Sequence, residues 1–443
     1  MRNDRQVTSF TPWLMWGLAA FFYFYQFVLR VFPNVLAEDL AASFEVNAFE
    51  LGTLSAFYYA SYATLQIPLG ILADYLGPRR LILISAGTGI IGLALFATAD
   101  TLLVAKIGRF LIGAGSACAF ICCLKLASVW FPPEYFTRVI GFTMIFGAIG
   151  ATTGGAPLSV MKEFLDWRTT LLVVAAIGSL YTILVFTLVK DTPPGEPTFR
   201  EKRVDRHTSL LQNLWIVAKD KQSWLIVLYA TLTYTPMTIF GDLWGVSFLR
   251  SAFDIDKTTA SSSVSMIYVG LAIGAPLFSF FASYYRPRKH LLMITSSVAA
   301  FCLASLVLFT SSLPFTLTYV LFCIAGISLG GHYINFALIC ERHGKEVSGT
   351  ATGFSNGITM ATPFLIQPFV GWILDMTWDG GIRDGVHQYT LEGFQTALMF
   401  VPIALTLSLF VAYFLKERGT LAAKPQTPTL GTNGDTKELL EAA

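Results

Sequence analysis

Charged residues are scarce in this chain. They make up 13% of it, while hydrophobic residues make up 54%. Soluble domains usually carry about 25% charged residues. A soluble chain cannot hide so much apolar surface from water, so the composition excludes an ordinary soluble protein and indicates that lipid is the main solvent.

Cysteine and histidine are also rare, and the motifs of enzymes are missing. All six cysteines fall within apolar runs or at their edges, so no disulfide framework is expected. The five histidines are scattered, no phosphate-binding P-loop occurs, and no nucleophile–base pair stands out. The sequence therefore disfavours a membrane enzyme, and it calls for no cofactor and no metal.

What the chain does have is long apolar runs. A spanning helix needs about 20 apolar residues. Its backbone polar groups must be satisfied within the segment, which favours helices. Twelve runs qualify, at residues 12–35, 50–72, 79–98, 101–124, 136–161, 168–189, 222–249, 260–284, 290–311, 314–340, 346–376 and 390–415. They predict an all-α membrane protein with 12 transmembrane helices.

Lysine and arginine set the expected orientation, because they concentrate on the cytoplasmic side. With the N-terminus inside, 22 of the 30 fall in cytoplasmic segments, five outside and three within spans. The segment Leu36–Phe49 then reads as an external loop that is acidic and free of cations. We expect an inner-membrane protein with both termini cytoplasmic.

The chain divides into four regions and repeats itself. We expect an N-terminal six-helix bundle at 1–190, a cytoplasmic linker at 191–221, a C-terminal bundle at 222–418 and a disordered tail at 419–443. A surface helix is expected within the linker, around Leu210–Val217. Two patterns recur across the linker: Glu134, Gly141 and Phe142 return 212 residues later as Glu346, Gly353 and Phe354, and Pro78-Arg79-Arg80 returns 209 residues later as Pro287-Arg288-Lys289.

One loop carries a family motif. Its residues Gly70, Asp74, Gly77, Arg79 and Arg80 form the pattern G-x-L-x-D-x-x-G-x-R-R. This pattern resembles the loop between the second and third helices of the major facilitator superfamily of transporters. The resemblance implies two pseudo-symmetric six-helix bundles, and it implies that this loop latches the cytoplasmic side of the transporter.

Further segments support the resemblance or depart from it. The stretch that holds Glu134 and Arg138 resembles the family's loop between helices four and five, which implies that both residues join the latch. Arg109 opens a segment that resembles the family's R-x-x-x-G-x-G signature, which is linked to structure or to proton coupling. The fifth span lacks the Gly-Pro pair of the family's antiporters, which is weak evidence against drug–proton antiport.

Buried charges are the strongest candidates for a binding site. Arg30 lies inside span 1, and the 212-residue shift carries it to Asp242 in span 7. We expect these two residues to pair as an external gate, or Arg30 to bind an anionic substrate while Asp242 responds. A carboxyl group balanced between burial and a nearby cation suits proton coupling. Alternatively, Arg30 extends to the outer interface. Lys106 is either a second cation for the substrate or another side chain that extends outward.

Uncharged polar residues within the spans complete the set. His332 is a candidate for proton coupling, with Asp242 and Arg109, but a histidine after two glycines more often serves as a hydrogen-bonding helix contact. Pro236 is expected to break the hydrogen-bond ladder of span 7. The other candidates for the substrate site or gate are Tyr25, Gln26, Tyr58, Tyr59, Tyr62, Gln66, Tyr234, Asn335, Asn356 and Gln367.

The function expected from these features is secondary active transport by alternating access. The substrate is expected to be a small organic anion or an amino-acid-like metabolite, taken up by proton-coupled symport. An exchanger, an efflux antiporter or a non-transporting sensor would share the same architecture. The expected partners are the lipid bilayer, the substrate and a proton, with no nucleic acid, and the protein is expected to act as a monomer.

Overall fold

The computed structural model describes residues 10–193, 210–285, 287–383 and 385–417. These residues form twelve long helical segments, named spans 1 to 12 in chain order, several of which are interrupted. Their bounds are Phe10–Phe44; Ala48–Leu76; Pro78–Ala97; Leu102–Ser116 with Ala119–Trp130; Pro133–Thr153 with Ala156–Phe164; Trp167–Leu188; Lys221–Pro236 with Met237–Trp244 and Gly245–Phe253; Lys257–Tyr284; Lys289–Leu308; Phe315–Leu329 with Gly330–Tyr333; the long helix Ile334–Met376; and Leu391–Leu398 with Phe400–Phe414.

The long helix Ile334–Met376 changes direction at Gly344, where the backbone leaves the helical region with φ 75°. The long helix therefore belongs to two spans: span 10 runs from Phe315 through Ile334 to this break at Gly344, and span 11 follows it as Val347–Met376. Smaller elements complete the described part. They are a surface helix at Leu210–Lys219, a 3₁₀ turn at Thr310–Ser312, and a hairpin of two antiparallel strands, Ile382–Arg383 and Val386–His387.

Eleven of the spans are long and apolar enough to cross a membrane, counted over the described residues. Span 2 has tyrosines and a glutamine that make it more polar, but its 29 residues, rising about 1.5 Å each, exceed the hydrocarbon thickness. All twelve predicted spans coincide with helices, which confirms the all-α, twelve-helix class. The predicted surface helix is also present, whereas the tail at 419–443 and residues 194–209 lie outside the described residues.

Span 1 is longer than the sequence indicated. The predicted external loop Leu36–Phe49 is wrong, because the helix continues to Phe44 and ends where Glu45 adopts φ 51°. The prediction ended the span where charges appear. Those charges, Glu38 and Asp39, instead lie on the helix and meet cations from other spans.

Polar residues mark where the spans begin. Asn47 starts span 2 with a capping box, in which its side chain accepts from the amide of Glu50 at 2.9 Å and Glu50 accepts from the amide of Asn47 at 3.3 Å. Single side-chain caps begin other spans, and each satisfies an amide that the helix leaves free. These caps are Thr101, Asp166, Asp220, Asp256 and Thr390.

Span 7 loses regular α-helical geometry at its middle. Pro236 ends the first helical piece, as predicted, and Met237–Trp244 then follows as a π-helix. Proline removes one amide donor and clashes with the carbonyl one turn earlier, so the regular hydrogen-bond ladder is interrupted at Pro236. The π-helix carries Asp242, and such segments often occur at functional sites.

The two halves contact each other on the side of the membrane that holds the 382–387 hairpin, called here the hairpin side. The opposite side, which holds residues 189–193 and 210–221, is called the linker side. Spans 1 and 7, 2 and 11, and 5 and 8 pack in pairs across the interface. Near the hairpin side, a Cβ atom added at Gly52 would lie 2.5 Å from the Gln367 carbonyl oxygen, so spans 2 and 11 touch backbone to backbone there.

Gly52→Ala is therefore expected to destabilise the protein. The new methyl group overlaps the backbone of Gln367 and Pro368, which cannot rotate away. Overpacking of this kind costs about 1–3 kcal/mol. The apparent unfolding temperature of purified protein measures it, with Gly87→Ala as the control, because Gly87 has nothing within 4 Å of an added Cβ. Equal shifts for both variants would contradict the close approach.

Candidate functional site

Arg30 and Asp242 meet at the centre of the interface between the halves. The Nη2 atom of Arg30 lies 2.9 Å from Oδ2 of Asp242, and its Nε atom lies 3.1 Å from the same oxygen. Arg30 is 4% exposed and Asp242 is 0% exposed. The guanidinium also sits over the rings of Phe27, Tyr59 and Tyr234, at 5.2–5.4 Å. Arg30 thus points into the protein interface and is shielded by aromatic rings.

Two tyrosines complete the surroundings of the Asp242 carboxylate. Tyr268 in span 8 donates a hydrogen bond to Oδ1 at 2.5 Å, and Tyr59 in span 2 donates to Oδ2. Tyr268 follows Tyr59 by 209 residues, the spacing that also separates Pro78 from Pro287. The sequence prediction missed Tyr268, although applying the 209-residue repeat to Tyr59 locates it.

Asn34 holds the irregular backbone of span 7 and was also missed. Its Nδ2 atom donates to the carbonyls of Phe240 and Gly241, both at 2.7 Å, and its Oδ1 atom accepts from the amide of Val246 at 3.0 Å. The Gln367 amide donates to the carbonyl of Thr238 at 3.0 Å. Irregular backbone within a membrane is stable only when buried partners satisfy it. Asn34 and Gln367 supply those partners, and Asn34 lies one helical turn from Arg30.

Arg109 supports the backbone that presents Arg30. Its Nη1 atom donates to the carbonyl of Leu29 at 2.6 Å and its Nη2 atom to the carbonyl of Arg30 at 3.2 Å. The guanidinium is 0% exposed and sits over Phe32 and Tyr58. Arg109 therefore contacts the chain behind Arg30 and does not contact Asp242.

Lys106 lies apart from this cluster. Its ammonium sits 5.9 Å from the ring centre of Phe57, a residue of span 2 whose ring contacts Phe364 of span 11. Lys106 is partly exposed. The structure therefore does not bring Lys106 to the pair of Arg30 and Asp242.

A second set of charges lies nearer the hairpin side. Glu38 on span 1 pairs with Arg250 on span 7 and lies 3.3 Å from Lys257 on span 8. Asp39 lies 2.9 Å from Lys257 and 2.7 Å from Lys162. Arg250 follows Glu38 by 212 residues, as Asp242 follows Arg30. Equivalent positions of the two halves thus carry opposite charges twice, in reversed order.

A carboxylate on span 11 caps span 2 across the interface. Asp375 accepts from the amides of Ala48 at 3.1 Å and Phe49 at 2.9 Å, and Tyr389 donates to the same carboxylate at 2.5 Å. The first amides of a helix have no partner within it. Closure of the hairpin side therefore satisfies groups that separation of spans 2 and 11 would leave free.

The uncharged candidates divide into two groups. Gln26 accepts from the hydroxyl of Tyr58 at 3.1 Å, and Tyr62 stacks on Tyr58 with ring centres 5.8 Å apart. Both candidates therefore lie near Arg109 and Arg30. Tyr25 was assigned to the site incorrectly, because its hydroxyl donates to the carbonyl of Val174 in span 6, inside the N-terminal half.

Asn356 joins the halves further toward the linker side. Its Nδ2 atom donates to Oε1 of Gln66 at 3.0 Å, and Nε2 of Gln66 donates to the carbonyl of Ala117. In the C-terminal half, His332 lies 3.1 Å from the Thr233 hydroxyl and 3.4 Å from the Asn335 amide. The Tyr234 ring contacts both groups: its centre lies 5.3 Å from the His332 ring centre and 5.3 Å from the Arg30 guanidinium carbon.

The predicted latch is only partly visible. Gly70, Asp74 and Glu134 lie outside the residues whose side chains the structure describes. Gly77 adopts φ 79°, which favours glycine. Arg80 and Arg138 are exposed. Arg79 donates through Nη2 to the carbonyl of Phe186 at 2.6 Å, so it contacts span 6 of its own half.

Carboxylates that the sequence did not single out cap the third helix of each half. Asp191 accepts from the amide of Arg79 at 2.7 Å, and Glu417 accepts from the amide of Lys289 at 2.9 Å. Each of these acids lies three residues beyond the sixth helix of its half. Burial raises the pKa of Asp191, although the hydrogen bond from Arg79 and the charges of Arg79 and Arg80 oppose the rise.

Asp191→Ala and Asp191→Asn are expected to differ in stability. Alanine removes the cap, at a cost of about 0.5–2 kcal/mol, whereas asparagine keeps an acceptor and removes the buried charge. Because the folded protein binds the Asp191 proton more tightly than the unfolded chain, the wild type gains stability as pH falls through the raised pKa. Unfolding temperatures measured from pH 7 down to the ordinary pKa range of aspartate, about pH 4, test this. Asp191→Asn should lack that gain, and parallel curves for wild type and Asp191→Asn would contradict it.

The comparison with known proteins agrees with the fold. The sequence pattern described as Major Facilitator Superfamily matches residues 15–368. The chain belongs to the Major Facilitator Superfamily. As a member of this superfamily the protein is a multi-pass membrane transporter and not an enzyme, with two pseudo-symmetric six-helix bundles.

Relatives of this transporter carry several substrates. The nitrate/nitrite transporter NrtP of Picosynechococcus is 28% identical over 52% of this chain and 47% of its own length. The probable sulfoacetate transporter SauU of Cupriavidus necator is 22% identical over 83% of this chain and 88% of its own length. The hexuronate transporter of Bacillus subtilis is 23% identical over 78% of this chain and 83% of its own length.

Solved structures show the same fold. A bacterial homologue of the human lysosomal transporter Spinster, inward-facing and occupied, matches with a TM-score of 0.73 at 15% identity, covering 94% of this chain and all of its own. The nucleoside transporter NupG matches with a TM-score of 0.72 at 16% identity, covering 91% of this chain and all of its own. At such low identity these structures establish the fold alone.

Proposed function

We propose that this transporter is a symporter that carries a small organic anion together with a proton by alternating access. The observation that carries the proposal is the ion pair of Arg30 and Asp242, which is buried where the two halves meet. Substrate sites of such transporters lie at the repeat interface near mid-membrane. Arg30 is the group that binds the anion, and Asp242 is the group that takes the proton.

Charge balance explains why the two would travel together. In the empty site Arg30 neutralises Asp242, and the pair carries no net charge. When a proton sits on Asp242 and an anion sits on Arg30, the site is neutral again. Either ligand alone leaves one net charge away from water, which is costly. The empty and the doubly loaded sites are therefore the two forms that can cross between the faces.

The donors around Asp242 favour a carboxylate as the substrate group that replaces Asp242 at Arg30. Arg30, Tyr59 and Tyr268 all donate to the two oxygens of one carboxylate. When protonation loosens Asp242 from Arg30, the guanidinium becomes free for a substrate anion and can bind it through two N–H groups. The aromatic rings around Arg30 keep water out and strengthen that contact.

The hairpin side supplies the outer gate of this proposal. The pair of Glu38 and Arg250, the contacts of Asp39 and the Asp375 cap all join the halves there. Opening toward the hairpin side must break these contacts together. We assign the hairpin side to the exterior and the linker side, with both termini, to the cytoplasm of a bacterial inner membrane, because most of the lysines and arginines that the structure describes lie on the linker side. We propose that one chain suffices for transport.

Proteoliposomes containing the purified protein test the proposal. Radiolabelled sulfoacetate and galacturonate are suitable probes, because relatives are named for sulfoacetate and for hexuronates. An outside-acidic gradient is expected to drive accumulation, and a protonophore is expected to abolish it. If the same gradient inhibited uptake of the probe, antiport would be indicated. If uptake of the probe did not depend on the gradient, exchange would be indicated. If neither sulfoacetate nor galacturonate showed counterflow, the result would indicate a sensor and overturn the proposal.

A further inference from the structure

The C-terminal half contains a buried histidine that the proposed proton coupling does not use. His332 is 5% exposed and lies in the 3₁₀ turn Gly330–Tyr333 within span 10. Its Nδ1 atom lies 3.1 Å from the hydroxyl of Thr233 on span 7. Its Nε2 atom lies 3.4 Å from the amide nitrogen of Asn335. Both ring nitrogens therefore have neighbours, and the neighbours decide which nitrogen carries the proton.

The hydroxyl of Thr233 fixes this choice. It donates to the carbonyl of Tyr229 at 2.9 Å, so toward His332 it offers a lone pair. The Nδ1 atom then acts as the donor, and in the neutral imidazole the free lone pair lies on Nε2. The Asn335 amide donates mainly to the carbonyl of His332, at 2.6 Å, and its contact with Nε2 is longer. Nε2 is thus an acceptor with capacity for a stronger donor.

The position of His332 relative to Arg30 gives this acceptor a role. Both groups contact the ring of Tyr234, whose centre lies 5.3 Å from the guanidinium carbon and 5.3 Å from the imidazole centre. Tyr234 and the neighbouring Tyr333 are partly exposed. The ring of Tyr333 also lies 5.5 Å from the His332 ring, so side chains of spans 1, 7 and 10 converge on this region.

We infer that the transported anion is a carboxylate that also bears a hydroxyl group, and that His332 determines this specificity. The carboxylate binds Arg30, and the hydroxyl donates its hydrogen to Nε2 of His332, the other group that contacts the Tyr234 ring. This inference rests on the proposed function for the anion site and adds the substrate class. A six-carbon sugar acid offers both groups, a carboxylate for Arg30 and hydroxyl donors along its chain for His332.

Discrimination should be substantial because the acceptor is buried. A site built to hydrogen-bond a hydroxyl loses the bond, and leaves its own acceptor unpaired, when the analogue lacks that group. Wild-type protein is therefore expected to bind galacturonate at least roughly tenfold more tightly than cyclohexanecarboxylate, which has a six-membered ring and no hydroxyl. Gluconate and hexanoate form a second pair, with open chains of six carbons.

Thermal stabilisation of the purified protein at a single pH measures these affinities, because a ligand that binds the native state raises its stability. His332→Phe keeps a ring and removes the acceptor. It is expected to weaken the binding of galacturonate and gluconate roughly tenfold and to leave the binding of cyclohexanecarboxylate and hexanoate unchanged. His332→Gln places an amide near the Nε2 position and is expected to recover part of the loss. His290→Phe is the control, because His290 is exposed.

The outcomes separate this inference from the proposed function. If wild type binds hydroxylated and plain acids equally well, or if His332→Phe weakens both members of a pair alike, the inference is wrong while anion transport can still stand. If His332→Phe does not fold, Thr233→Val removes the partner of Nδ1 and is expected to weaken only the hydroxylated acids. Because no proton gradient is imposed, failure of proton coupling in proteoliposomes leaves this result unaffected.

Discussion

Arg30→Ala is expected to reduce uptake by at least about a hundredfold. The substitution removes the group that binds the anion, and it leaves the Asp242 carboxylate buried without a cation. Breaking one side of a buried ion pair costs about 3–5 kcal/mol. Initial uptake rates in proteoliposomes measure the effect on transport, and the unfolding temperature of the same preparation measures the effect on stability.

A double substitution separates these two effects. Arg30→Met with Asp242→Leu removes both charges, and apolar replacements of a buried ion pair are often neutral for stability. We expect the double variant to recover the unfolding temperature that Arg30→Ala loses, yet to remain inactive. Uptake by the double variant within a few-fold of wild type would show that Arg30 serves only the fold.

Asp242→Asn is expected to uncouple transport from the proton gradient. Asparagine is neutral at every pH, so it resembles the protonated carboxyl and leaves Arg30 available to the anion. The return of the empty carrier then exposes an unpaired guanidinium to the interface, which is costly. We expect gradient-driven accumulation to fall at least about tenfold while counterflow, which needs only the loaded form, persists.

Tyr268→Phe is the matched control for Asp242→Asn. It removes one donor to the same carboxylate and keeps the charge, so proton-driven accumulation should persist at a reduced rate. The pH dependence of counterflow gives a second measurement, since Asp242→Asn should make it flat. Accumulation by Asp242→Asn that still follows the imposed gradient would assign the proton to another group.

The sequence alone was sufficient to predict the twelve helices and the pairing of Arg30 with Asp242. Apolar runs set the twelve spans, because a helix in lipid must satisfy its own backbone. Applying the 212-residue shift to Arg30 led to Asp242, and the structure places the two side chains 2.9 Å apart. The inference worked because spans 1 and 7 are equivalent helices that pack against each other across the interface, whereas the other pairs across it, 2 with 11 and 5 with 8, are not equivalent.

What the sequence did not show depends on the exact path of the backbone. Asn34 looks like an ordinary polar residue until the π-helix of span 7 presents free carbonyls to it. Asp191 looks like part of a loop until the chain returns it to the start of span 3. Tyr25 was predicted to lie in the site, but it contacts its own half. A residue on an apolar helix can face either the other half or its own, and the sequence does not distinguish the two.

The reversed charges of Arg30–Asp242 and Glu38–Arg250 limit how this chain can have evolved. Had the ancestor been a homodimer of six-helix subunits, identical side chains would have met at these positions, arginine against arginine and acid against acid. Such an assembly would repel itself at both levels. Gene duplication therefore had to precede the present charges, because only two separately varying copies of the six-helix sequence can carry opposite signs at equivalent positions.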